Sequence, residues 1–387
     1  MFFAKLTQKF AQVSSTKITE TSKIKTSPCY LDNNYFVAAS EKQGFPYKLN
    51  ELIEKFMIHV EEDKELSPKT PPQYRRTLQF LTDLWPFDDI REMDREGAEQ
   101  LARLFCKLPK NPDKNPALQG LRGVELIHKN EEIGGEVISR STVKKSISLL
   151  STFFRWAETH NYVDRNYFYK LTVRKSVIEP RRYQLSNEDI ASVFSMSEYA
   201  NGKFRHPYCY WLPLLLRFTG ARMNELCQLR TESVIRVNGV YGIRIEARSG
   251  GDRVKNPSSI RFVPLHKALI SRGFLDYVNS CMDERLFPEL PCTNGYYSHN
   301  ASKWFARRRA SLQLGQGKDA HSFRHSFIDE LKQMREPISV IRELVGHSDD
   351  SVTTSVYSRS YHPELLVNVV NKIDDSHVAN IKPYTQY

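Results

Sequence analysis

The chain has 387 residues, 40% of them hydrophobic and 26% charged, and its 56 Lys and Arg outnumber 45 Asp and Glu for a formal net charge of +11. That length exceeds one ordinary domain and argues for two plus a tail. The basic balance favours an acidic partner, nucleic acid above all, although a basic surface without such a partner gives the same count. The cysteines (Cys29, Cys106, Cys209, Cys227, Cys281, Cys292) are scattered, with no C-x-x-C and no close Cys/His quartet, which argues against a zinc ribbon and fits free thiols in a reducing cytosol. The longest strongly apolar run, Trp211 to Leu216, is far too short for a bilayer, and the N-terminus lacks a clear signal-peptide core.

In chain order, residues 1–27 are rich in Lys, Ser and Thr, with Glu20 the single acid. They read as a basic arm or tail, a transit peptide being the lesser alternative. From Leu49, the residues Leu52, Ile53, Phe56, Met57 and Val60 fall at helical spacing. A second helix begins near Thr70-Pro71-Pro72, with Tyr74, Leu78, Leu81 and Trp85 as its stripe and Arg75 and Arg76 on its other face. Residues 107–135 contain K-L-P-K-N-P-D-K-N-P and read as a loop excursion. Ser139 to His160 is a strong helix, capped by Ser141 or Thr142, with Val143, Ile147, Leu150, Phe154 and Ala157 on one face. Lys144, Lys145 and Arg155 lie off that face; each alone is an ordinary solvated cation, but as a set they suit phosphate contact.

Residues 173–184 read as a basic linker. Ser186 then caps a helix, with an acid three residues on and Leu185 and Ile190 as a staple. Tyr208 to Leu229 reads as a buried helix, a break at Thr219-Gly220, and a further helix. Val234 to Val237, Asn238-Gly239 and Val240 to Ala247 form a hairpin with a type I′ turn, and Ile260 to Leu265 is a third strand. Helices resume near Lys267, and Pro363 to Ile373 carries a closing stripe of Leu366, Val369, Val370 and Ile373. The expected architecture is mainly α with a small antiparallel β-sheet. It comprises a tail at 1–45, a helical domain at 46–172, the linker, a second domain at 185–362 and a C-terminal tail at 363–387.

The stretch D-A-H-S-F-R-H…L-V-G-H-S…Y between Asp319 and Tyr357 collects imidazoles, a guanidinium and a phenol. Phosphoryl transfer requires a nucleophile, positive charge around the non-bridging oxygens and a proton donor for the leaving oxygen. A planar guanidinium fork suits two phosphate oxygens better than an ammonium does.

Five motifs in order make the chain resemble the tyrosine recombinase (phage integrase) family. They are T-G-A-R-M-N-E-L at 219–226, K-N-P-S-S-I-R-F-V-P-L-H at 255–266, H-S-F-R-H at 321–325, L-V-G-H-S at 344–348, and Tyr357 ten residues beyond His347. The resemblance covers most of residues 185–360 and reaches more weakly into the helical half, which resembles a core-binding (SAM-like) domain. It implies that Arg222 and Arg324 clamp the scissile phosphate and that Tyr357 attacks it, leaving a 3′-phosphotyrosine and a free 5′-hydroxyl. Lys255 would protonate the leaving oxygen, His321 would assist proton transfer and His347 would bond the phosphate. Glu225 and His325 would have supporting roles, and Arg75, Arg76, Lys144 and Lys145 would contact DNA.

It further implies no metal or other cofactor, double-stranded DNA attachment sites as partner, and a C-shaped clamp around the duplex. A homotetramer on DNA, monomer or dimer when free, would act in a bacterial cytoplasm, with accessory DNA-bending or directionality factors and no membrane. The closing stripe would pack on a neighbouring subunit.

Alternatives remain at particular residues. Arg253 rivals Lys255, Tyr361 rivals Tyr357, and Arg222 or Arg324 would be plain ion-pair residues beside Glu225, Asp329 and Glu330. At the level of function, type IB topoisomerase chemistry uses the same phenol. A metallohydrolase using His321 and His325 would have to tolerate Arg324 between them.

Overall fold

The computed structural model describes residues 47–172, 183–247, 252, 257–347 and 360–385. The chain divides into two compact units, Met1–Ile53 with Leu78–Leu171, and Glu54–Thr77 with Thr172–Tyr387. The division cuts the first two helices, Leu49–Glu62 (α1) and Thr70–Leu84 (α2), so that the turn between them is grouped with the second unit. No described helix is long and apolar enough to cross a membrane.

The first unit is helical. Its helices are the ends of α1 and α2, then Arg95–Phe105 (α3), Gly123–Glu132 (α4) and Arg140–Thr159 (α5). Val143, Ile147, Leu150, Phe154 and Ala157 of α5 are buried, as the spacing predicts, and Phe153 is buried beside them. The cap is Ser139 instead of Ser141 or Thr142: it is extended, and its Oγ accepts from Thr142 N at 3.2 Å. Helix α3, which the sequence pattern did not reveal, starts at Asp94, whose carboxylate accepts from Gly97 N at 2.7 Å. The expected loop at 107–135 is corrected in part. Its proline-rich start does form two 3-10 turns, but Leu126, Ile127 and Asn130 bury one face of α4. The base of the excursion is clipped by Lys110 N to Glu136 O and Ile138 N to Leu108 O, both 2.9 Å.

The second unit is built around Pro207–Thr219 (α8), all but the first residue of which are buried. Before it come Asn187–Phe194 (α6) and Ser197–Asn201 (α7). The entry to α6 is the predicted capping box: Ser186 Oγ accepts from Asp189 N, and Asp189 accepts from Ser186 N at 2.8 Å. Helix α8 ends at Gly220, held at φ 59°, and Met223–Cys227 (α9) follows. A Cβ on Gly220 would sit 2.6 Å from the Phe327 ring, so the break requires glycine for both its conformation and its space.

Strands Val234–Val237 (β1), Val240–Ile245 (β2) and Arg261–Pro264 (β3) form an antiparallel sheet in that order. Asn238 and Gly239, both at positive φ, make the predicted turn. The register pairs Val237 with Val240 and Ile243 with Val263. Lys267–Ile270 (α10), Phe274–Ser280 (α11), Ser298–Ser311 (α12), Ser322–Gln333 (α13), Ile338–Val345 (α14) and Pro363–Val370 (α15) complete the described helices.

The closing stripe is buried within the chain itself. Leu366, Val369, Val370 and Ile373 lie in the core of their own unit, α15 packing on β3 and β2. The chain beyond stays docked: His266 Nε2 bonds Ile373 O at 3.1 Å, Tyr210 OH donates to Lys382 O at 2.8 Å, and Tyr384 packs on Tyr210, Trp211 and Tyr277. Leu365, on the same helix, stays exposed at 42%.

Candidate active site

Arg324 projects from α13 into the core and is 1% exposed. Its Nη1 donates to Gly220 O at 2.9 Å, and its Nη2 donates to Val345 O at 2.5 Å. Those carbonyls lie at the C-terminal ends of α8 and α14, where unpaired C=O groups and the helix dipoles favour a cation. Both ends are shaped by left-handed glycines, Gly220 and Gly346. The two bonds use two of the five guanidinium N–H groups, so capping fixes the fork without exhausting its donors.

Arg222 enters from the start of α9. Its Nη1 donates to Glu225 Oε1 at 2.7 Å and to Ser259 Oγ at 3.2 Å, and its backbone N donates to Glu225 Oε2 at 2.8 Å. Glu225 is buried and has a second cation, Arg261 Nη2 at 2.9 Å. Arg261 also donates to Leu344 O and Ser259 O, both at 2.8 Å, which ties β3 to α14. Arg261 lies within the 255–266 motif, but the family resemblance implies no role for it. The available signal was its place in the inward register of β3, one strand repeat before Val263.

Two guanidiniums thus share one carboxylate, and Arg324 is a third cation within its electrostatic reach. Burial pushes Glu225 up, but the charge and hydrogen bonds of Arg261, together with Arg222, hold it below the usual carboxylate range. Arg261 moves down, because burial costs it more than Glu225 returns. Arg324 is driven down to about 9, by burial first and then by the Arg222 and Arg261 charges. A guanidinium stays charged in practice, so these directions describe a site carrying more positive charge than its own carboxylate balances. Such a site favours an anion.

His347 follows the Gly346 cap of α14, its backbone N donating to Arg342 O at 3.1 Å. The side chain is exposed, yet desolvation first and then the charges of Arg324, Arg222, Arg261 and Arg342 lower its imidazole to about 4. The ring is neutral at neutral pH and presents a donor without adding charge. His321 occupies the N-cap position of α13 without a side-chain capping bond, in a locked turn: Asp319 Oδ1 accepts from His321 N at 2.8 Å, and Ser322 Oγ accepts from Asp319 N at 3.0 Å. His325 lies one turn further on, its ring perpendicular to that of His321 with centroids 5.0 Å apart. Among the described residues no group of three or more His, Cys, Asp or Glu is placed to hold a metal ion.

Lys255, Arg253 and Tyr357 lie outside the described residues. Tyr361 is described and is engaged: its hydroxyl shares a 2.7 Å bond with Ser339 Oγ, and its backbone N donates to the Glu343 carboxylate at 3.1 Å. Of the proposed DNA contacts, Arg75 is occupied by acids, Nε and Nη2 reaching Glu61 Oε1 at 3.0 and 2.8 Å with Glu54 at 3.6 Å. Arg76, Lys144 and Lys145 are exposed.

Residues 184–364 match the model of the phage integrase family. This segment is a tyrosine recombinase domain. The tyrosine recombinase XerC of Oceanobacillus iheyensis is 23% identical over 314 residues, covering 80% of this chain and 92% of its own. The tyrosine recombinase XerA of Thermococcus kodakarensis is 31% identical over 148 residues, 38% of this chain and 49% of its own. Among solved structures, a Tn1549 transposon integrase in complex with circular intermediate DNA superposes with a TM-score of 0.56 at 17% identity, covering 81% of this chain and 96% of that one. A lambda integrase tetramer bound to a Holliday junction gives 0.52 at 16%, covering 80% of each chain. At these identities the structures show a shared fold, and within the recombinase domain that fold joins Arg222, Glu225, Arg261, Arg324 and His347 in one cluster.

Proposed function

We propose that this chain is a site-specific DNA recombinase that cleaves and rejoins duplex DNA through a 3′-phosphotyrosine. The observation that carries the reading is the excess of guanidinium charge over carboxylate around Arg222 and Arg324, with a neutral imidazole at its edge, inside a phage integrase domain. In the proposed step the Tyr357 oxygen forms a bond to phosphorus as the bond to the 5′-oxygen breaks. The phenolic proton leaves with help from His321, and Lys255 gives a proton to the 5′-oxygen. Arg222, Arg324 and His347 hold the non-bridging oxygens as their charge rises in the transition state. The ester energy is kept in the phosphotyrosine, so attack by a 5′-hydroxyl reverses the step without a cofactor.

The partners in this reading are attachment sites in double-stranded DNA, with Arg75, Arg76, Lys144 and Lys145 on backbone phosphates. The lambda integrase tetramer on a Holliday junction motivates a tetramer here. The setting is the cytoplasm, and the task is integration or excision of a mobile element.

A suicide DNA substrate tests the chemistry. Tyr357→Phe abolishes covalent protein–DNA adducts, and Tyr361→Phe retains them, since that hydroxyl already serves Ser339. Adducts from Tyr357→Phe would overturn the nucleophile assignment. Arg222→Ala keeps DNA binding and loses cleavage, and normal cleavage by it would overturn the clamp.

A further inference from the structure

The same helix that leads to Arg222 at its C-terminal end borders a second cationic site at its N-terminal end. Helix α8 has 13 residues, which at 1.5 Å per residue puts the two ends about 20 Å apart. The second site is a pocket of about 380 Å³. Tyr208, Cys209 and Trp304 form its buried floor, Tyr208 and Trp304 meeting edge to face at 6.0 Å. Burial pushes the Cys209 thiol up to about 11 and the Tyr208 phenol up to about 12, so the floor is neutral.

The charge is on the rim. Lys203, Arg205, Arg307 and Arg308 line the pocket with one acid, Glu198. That acid is taken by Arg308. The Arg308 Nε is buried and has no hydrogen-bond partner among the described residues. Among those residues, Lys203, Arg205 and Arg307 make no ion pair, and all three are exposed. A second acid, Glu289, lies close by and accepts weakly from Tyr208 N at 3.4 Å.

The rim is held in place, unlike an ordinary solvated loop. Gly202, at φ 67°, ends α7, and Lys203 N bonds back to Glu198 O at 3.1 Å. Phe204 packs edge-on against Tyr199 and Tyr210 at 5.1 and 5.0 Å, which pins the loop between Lys203 and Arg205. His206 stacks on Tyr208 at 5.5 Å. On α12, Trp304 is anchored in the core, and Arg307 and Arg308 follow at i+3 and i+4 on the same face. The positive end of the α8 dipole adds to the same field.

We propose that this pocket is a second phosphate-binding site, separate from the one at Arg222 and Arg324. The phosphate is carried either by duplex DNA lying beyond the cleavage site or by a free nucleotide. The inference does not depend on the cleavage chemistry, since the pocket is complete in a protein that binds DNA and never cuts it.

The test uses the full chain at low ionic strength, with inorganic pyrophosphate as probe and Trp304 fluorescence as the local readout. Trp304→Phe identifies the signal that belongs to this pocket. The double variant Arg205→Ala/Arg307→Ala, with its thermal midpoint checked against the parent, is expected to bind pyrophosphate at least tenfold more weakly at that signal. Arg222→Ala, which removes a cation from the other cluster, leaves the Trp304 signal intact. In a second arm, the double variant is compared on duplexes that end at the cleavage site and on duplexes extended by two helical turns. Weakening confined to the extended duplex assigns the phosphate to DNA, and equal binding of both, with pyrophosphate binding lost, assigns it to a free nucleotide. No Trp304 response in the parent chain, or an unchanged response in the double variant, overturns the proposal.

Discussion

Glu225→Gln is the sharpest probe of the guanidinium cluster. The side chain is 4% exposed and accepts three donors, Arg222 Nη1, Arg222 N and Arg261 Nη2, at 2.7, 2.8 and 2.9 Å. An amide has one acceptor oxygen, so its NH₂ must face at least one donor, and the charge that offsets Arg261 disappears. Removing one partner of a buried ion pair costs ~3–5 kcal/mol. The retained amide oxygen recovers ~1 kcal/mol of that. A net loss of about 3 kcal/mol lowers the thermal midpoint of a unit this size by roughly 6–12 °C.

Calorimetry at pH 7 measures the shift, and the double variant Glu225→Gln/Arg261→Met recovers part of it by removing the orphaned cation. The pH dependence has a definite sign. Because the folded carboxylate lies below its ordinary 4.5, its contribution is complete above that pH and is lost as pH falls through the lower folded value. The gap between parent and variant therefore closes in acid. A midpoint change under ~2 °C at pH 7, equivalent to less than about 1 kcal/mol, would show that Glu225 does not hold the two guanidiniums.

Two further outcomes follow from the same geometry. In the free protein the His347 imidazole stays neutral until about pH 4. Its lowered value favours the neutral form, so it withdraws stability only as pH falls from its ordinary 6.5 toward 4. An NMR titration reads this, and occupation of the site by vanadate or uncleaved DNA should move the midpoint upward; no movement would mean that His347 does not face the bound oxyanion. Gly346→Ala places a Cβ 2.9 Å from Arg261 Nη1 and 3.1 Å from Ser258 O at φ 67°. Left-handed strain and the clash together cost about 2–3 kcal/mol, to be read as a fall in thermal midpoint with a parallel loss of phosphate affinity.

Features legible in the sequence were those written locally. Ser186 with Asp189, Asn238-Gly239, and the glycine after α8 each encode a cap, a turn or a stop within a few residues. The Arg222 and Arg324 positions were legible because their motifs are contiguous. Partnerships across long separations were not. Arg261 finds Glu225 from 36 positions away, and the α15 stripe finds β3 from about 100. Arg75 looked free because the acid that holds it, Glu61, lies across a turn and obeys no helical period. Helix α4 was masked by the lysine-proline stretch before it, where loop chemistry is strong and ends at Leu118.

The burial of Leu366, Val369, Val370, Ile373 and Val378 bears on the protein's own synthesis. These residues supply one wall of the core that α8, α13 and the sheet surround, and they are translated after every residue of the Arg222–Arg324 cluster. Domains close as units, and chain emerges at ~5–20 residues per second. A ribosome that has already delivered both arginines still holds an unfinished core until residues 363–381 emerge. The order of the chain therefore places the last wall of that core after the Arg222–Arg324 cluster.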